Sequence, residues 1–174
     1  MKFQIIFLLI AATAISFSFD VTKRNSYALS GAVPAECDSV PILNKQIVES
    51  VKTQMGKKVL RGECWDLASM ALNQSGAKWD GLWGFGREVN YKSECVFPGD
   101  IIQFKGVKVE YMVNGSKYYE TMKQHTAVIY EVKAKGEFIL AHQNTSNTGR
   151  KVGTSPLNVK DISKGKISIY RPQN

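Results

Sequence analysis

Pro98-Gly99-Asp100-Ile101-Ile102-Gln103-Phe104 marks the point where the chain changes character. Upstream of it the apolar residues recur at helical spacing. Ile42, Leu43, Ile47, Val48 and Val51 predict a helix that starts near Pro41 and ends before Gly56. Leu67, Met70, Ala71 and Leu72 predict a second, from about Glu63 to Gln74, with Gly76 as its stop. Downstream, the pattern is one of short strands: Asp100 to Phe104, Val107 to Val113, Lys117 to Met122, Thr126 to Val132, Phe138 to His142 and Lys166 to Tyr170. Asn114-Gly115 is a strong hairpin signal between two of them. Helices first and antiparallel strands afterwards predict an α+β domain, with the helices packed on one face of a sheet of about five or six strands. The Gly- and Trp-rich stretch from Lys78 to Pro98 reads as a loop, and Thr145 to Lys160 as a long surface connection.

With 174 residues and an apolar content of 44%, the chain suits a single packed domain. We place that domain at 41–174, behind an irregular connector at 19–40. Lys2 followed by the apolar run from Phe3 to Phe19 has the form of a secretory signal, placed at 1–18. The run thins into Ser and Thr, so no membrane span is expected in the mature form, and the expected location is extracellular or periplasmic. A net charge of +8 favours anionic partners. The lysines are scattered, with no interleaved aromatics, which argues against nucleic acid. Peptidoglycan or another anionic cell-surface polymer is the easier match for an exported monomer.

Three cysteines in an oxidising compartment leave one thiol over. Cys37 and Cys95 lie in loop-like stretches, whereas Cys64 opens a helix, so the expected disulfide is Cys37 with Cys95. A thiol at a helix N-terminus is favoured as thiolate by the unpaired N–H groups and the helix dipole. Gly62 before it leaves the sulfur approachable. The general base must come from the two histidines of the chain. His125 enters the apolar strand Thr126-Ala127-Val128-Ile129, and His142 closes another as His142-Gln143-Asn144. With a period of two, His142 and Asn144 share a face, and either one is placed to orient His125.

Gly-Glu-Cys-Trp at a helix start, Pro98-Gly99-Asp100-Ile101-Ile102-Gln103-Phe104, His-Thr-Ala-Val-Ile and a strand closing in His-Gln-Asn together resemble the CHAP and NlpC/P60 superfamily of papain-like cysteine hydrolases, over about Ile42 to Arg171. The resemblance implies a papain-like fold and a catalytic set of Cys64, His125 and His142 or Asn144. It also implies a substrate groove shaped by the aromatic loop, with Trp65, Trp79, Trp83 and Phe85 as candidate contacts. His125 follows Cys64 by only 61 residues, closer than in the larger papain-type proteases. A compact amidase or endopeptidase acting on peptidoglycan peptides is therefore expected. No calcium-loop motif is present and both histidines are already assigned, so neither a metal nor another cofactor is expected. A similar pattern is also found at the end of fungal cortical-actin adaptor proteins, so fold alone does not fix the substrate. The rival readings are a non-catalytic wall- or protein-binding module of the same fold, a lipid acyltransferase or hydrolase, and a secreted effector aimed at competing cells.

Overall fold

The computed structural model describes Cys37 and residues 39–174; the segment read as a signal and nearly all of the connector lie outside them. Two helices precede six strands: α1 (Ile42–Lys52), α2 (Cys64–Gln74), β1 (Arg87–Val89), β2 (Ile101–Val113), β3 (Ser116–Ala134), β4 (Glu137–His142), β5 (Gly153–Asn158) and β6 (Ile162–Arg171). The strands form one sheet in the order β1-β6-β2-β3-β4-β5, and every pair in it is antiparallel. The architecture is α+β, and the Asn114-Gly115 turn closes the β2–β3 hairpin as expected.

Three elements differ from the sequence reading. The short strands on either side of Gly106 and of Lys123 to Gln124 are two long ones, β2 and β3, carried through a local irregularity instead of broken by it. A strand, β5, lies inside the segment read as a surface connection. It contains Pro156, which is tolerated because β5 is the sheet's edge. A three-residue strand, β1, sits in the Gly/Trp stretch and pairs with β6.

Side chains alternate between the two faces of the sheet, and each face has its own core. On one, Ile101, Val128 and Ala141 meet Leu43, Ile47 and Val51 of α1 and Leu67, Ala68, Ala71 and Leu72 of α2. On the other, Ile102, Phe104, Ala127, Ile129, Phe138, Leu140, Leu157 and Ile169 form a cluster that takes residues from β5 at one edge to Val89 of β1 at the other. Each fully buried large side chain here, such as Phe104 or Phe138, contributes about 2–3 kcal/mol of transfer free energy.

The Pro98-Gly99-Asp100 run owes its residues to a buried clamp. Asp100 accepts hydrogen bonds from Asn44 Nδ2 (2.8 Å), Phe97 N (2.9 Å), Arg171 Nε (3.0 Å) and Arg171 Nη2 (2.8 Å). One carboxylate thus ties α1, the approach to β2 and the end of β6. Gly99 has φ +88°, and a Cβ there would lie 2.4 Å from the Asn44 carbonyl oxygen, so only glycine lets α1 come this close. Arg171 also donates to the Cys95 carbonyl (2.5 Å). Cys95 forms the expected disulfide with Cys37, closing 58 residues of chain and contributing about 4 kcal/mol by loop-closure entropy.

Candidate active site

Cys64 is the first residue of α2 and the free cysteine among the described residues. The turn before it is held from several sides. Asp66 accepts from Glu63 N (3.0 Å) and from Arg61 Nη2 (2.7 Å). Gln143, fully buried, accepts from Val59 N (3.1 Å) and donates to Val59 O (3.0 Å) and Glu63 O (2.9 Å), fixing the turn to the end of β4. Gly62 has φ +86° and its α-carbon faces the Arg150 side chain, where a Cβ would lie 2.8 Å from Arg150 Cβ. Its role is therefore to shape this turn rather than to open the sulfur.

His125 stands on β3 opposite Phe104 of β2, and their rings are 6.0 Å apart. His142 ends β4. His125 Nε2 and His142 Nδ1 are 2.9 Å apart, and His142 Nε2 is 2.9 Å from Ser155 Oγ on β5. Three adjacent strands thus supply one line of polar groups. Of the two candidates to orient His125, the structure brings His142 to it. Asn144 lies two residues beyond the strand with φ +61°, where its side chain donates to Glu63 Oε2 (2.7 Å). The period-two face expected to hold both residues ends at His142. Ser155 was missed because β5 itself was missed; a serine in a connection carries no signal until its strand is known.

Cys64, His125, His142 and Asn144 line one cavity of about 430 Å³ with Tyr119, Thr121 and Gln124 of β3. Burial lowers the pKa of His125 to about 4, and burial together with the neighbouring His125 lowers that of His142 to about 4, so both rings are neutral at pH 7. Burial pushes the Cys64 thiol up, against N–H groups of Thr126 and Trp65 that pull it down. The helix terminus acts in the expected direction, but desolvation outweighs it, and the resting thiol keeps its proton. In the tautomers in which His125 Nε2–H donates to His142 Nδ1 and His142 Nε2–H donates to Ser155 Oγ, His125 Nδ1 is the ring nitrogen able to accept that proton.

The aromatic residues divide. Trp65 and Trp83 line a second opening of about 420 Å³ that also contains Cys64, and Trp65 Nε1 donates to Leu82 O (2.6 Å). Trp79 stacks on Phe85 at 5.8 Å and borders a neighbouring cleft with Trp65. Phe85 is fully buried in the helix-side core and is a packing residue, not a substrate contact. Among the described residues no cluster of His, Cys, Asp and Glu is arranged to hold a metal ion, and no helix is long and apolar enough to cross a membrane.

Residues 42–174 match the AIM3/BBC1 Cysteine proteinase-fold domain. This supports a papain-like cysteine proteinase fold in the broad sense, and the match is not to CHAP or NlpC/P60. Altered inheritance of mitochondria protein 3 of Debaryomyces hansenii is 27% identical over 88% of this chain, which spans 19% of that protein's length. Two solved structures, the crystal structure of Ly7917 and that of Ly7917 with the hydrolyzing product of MDP, overlap 73% and 74% of the chain and 62% of their own, at 16% identity. Their TM-scores, 0.44 and 0.45, do not establish a common fold.

Proposed function

The chain belongs to the AIM3/BBC1 cysteine proteinase-fold domain family, and from that premise we propose that it is a secreted thiol hydrolase of amide bonds. The observation that carries the reading is the line His125–His142–Ser155, whose two histidines share a cavity with the free thiol at the start of α2. Cys64 Sγ attacks the carbonyl carbon as its proton passes to His125 Nδ1. The oxyanion of the tetrahedral intermediate faces the Cys64 backbone N–H. Collapse breaks the C–N bond, and His125 returns the proton to the leaving amine. Water then hydrolyses the thioester with His125 as base, releasing the acid and restoring the thiol. Because both partners rest neutral, proton transfer to His125 accompanies the attack of Sγ and does not precede it.

The disulfide supports an oxidising compartment. Peptide bonds of peptidoglycan are the substrate we test first, because an exported, basic chain meets anionic cell surfaces. Digestion of insoluble peptidoglycan, with released fragments and new amino groups read by mass spectrometry, should show products from wild type and none from Cys64→Ala. Equal release by both proteins sinks the enzymatic reading. The protonated resting thiol favours a second reading, a binding module that keeps the fold without turnover. Retention on the same peptidoglycan with no product from either protein would select it.

A further inference from the structure

We propose that the outer half of the β2–β3 hairpin, with the adjoining strand β6, is a docking surface for an anionic lipid bilayer. The helices cover only the lower part of their face of the sheet, around Ile101 and Val128. Farther out on that face the cross-strand register sets Lys105 against Lys166 and Lys108 against Lys164. Like charges placed directly opposite one another destabilise a sheet. Two such pairs in succession, with Lys117 farther along, concentrate positive charge that an external anion would offset. Glu110 on this face already bridges Lys108 (2.6 Å) and Lys117 (2.5 Å), while Lys105, Lys164 and Lys166 remain exposed.

A soluble polyanion would explain the lysines alone. The hairpin tip adds exposed apolar and aromatic side chains, Met112 (64%) and Tyr119 (66%) on the lysine face and Tyr118 (49%), stacked on Tyr111, on the other, so that among the described residues three of the seven exposed large hydrophobic residues fall within eight positions. Lysines behind a tip of Tyr and Met match a bilayer's charged headgroups and its interfacial layer, where Tyr is favoured. The surface is continuous with the candidate site, because Tyr119 also lines the Cys64 cavity. It stands independently of turnover.

Binding is measured with the full secreted chain carrying Cys64→Ala, by sedimentation with phosphatidylcholine vesicles with and without phosphatidylserine. We expect binding only when phosphatidylserine is present. Lys105→Glu should weaken it about tenfold while raising the thermal midpoint, since it turns the Lys105–Lys166 opposition into an ion pair. A residue needed only for folding would not move the two readouts in opposite directions. Met112→Ser with Tyr118→Ser should weaken vesicle binding but leave retention on soluble polyphosphate unchanged. Binding to phosphatidylcholine alone, no binding to either vesicle, or a tip variant that binds anionic vesicles like wild type would each overturn the assignment.

Discussion

Two buried polar clusters stand on the same sheet and are built on opposite plans. At the start of β2, Asp100 is fully buried, and four hydrogen bonds from three residues occupy its two oxygens. Where the end of β4 meets the middle of β3, His142 and His125 are nearly as buried but hold one hydrogen bond between them and one to Ser155, and they open onto a cavity. In the first cluster every lone pair of the carboxylate is answered; in the second, burial strips the rings of water and leaves them neutral at pH 7. A saturated cluster has no capacity left for a ligand and serves the fold. The unsaturated one keeps a proton acceptor available in the cavity that a thiol also lines.

Breaking the saturated cluster should have the largest effect. Arg171→Met leaves the Asp100 carboxylate buried without its cation, and we expect a loss of about 3–5 kcal/mol in urea unfolding. If the two clusters are functionally separate, the protein that remains folded keeps its Cys64 chemistry. Breaking the open cluster should instead reach chemistry first. His142→Ala should slow any Cys64-dependent hydrolysis about a hundredfold, whereas Asn144→Ala should stay within about threefold. Equal losses in kcat from the two variants would return Asn144 to the role of orienter.

How far this was legible in the sequence follows the same division. Helical spacing around Ile47 and Leu67, and the strand-forming run after Asp100, revealed both helices and the α+β order because burial imposes a period on the residues themselves. Cys64, His125 and His142 were visible because the chain offers so few alternatives. What stayed hidden depended on register. The pairing of Ser155 with Leu140 across β4 and β5, which brings Ser155 to His142, leaves no mark in local sequence. Phe85 and Trp83 are two residues apart in one aromatic loop, yet one is wholly buried and the other 44% exposed. Composition cannot tell them apart. The protonated state of Cys64 was hidden for a related reason: a helix terminus is local and readable, while desolvation comes from residues far along the chain.

The neutrality of the open cluster sets a pH dependence of stability. In the unfolded chain each histidine binds a proton below about pH 6.5, but in the folded protein only below about 4. Between those values unfolding takes up protons, so stability is full above pH 6.5 and falls as the pH drops toward 4. The loss should reach about 2 kcal/mol for each histidine by pH 5, measured by urea unfolding against pH. His142→Phe should remove about half of the slope. A flat profile in wild type would mean that the rings are solvated and the contrast between the clusters is lost.

The smallest expected effect is the sharpest test of the proton line. Ser155→Ala removes the acceptor at the end of His142 and should cost about 1 kcal/mol, less than Arg171→Met because the cavity side admits water to His142 Nε2. If Ser155 Oγ accepts from His142, the variant weakens the preference for the tautomer that leaves His125 Nδ1 unprotonated. The loss should then appear in kcat with KM unchanged, and Ser155→Thr, which restores a hydroxyl at the same Cβ, should recover most of it. A change confined to KM would place Ser155 on the substrate's path instead, along the wall that it shares with Leu140 and Pro156.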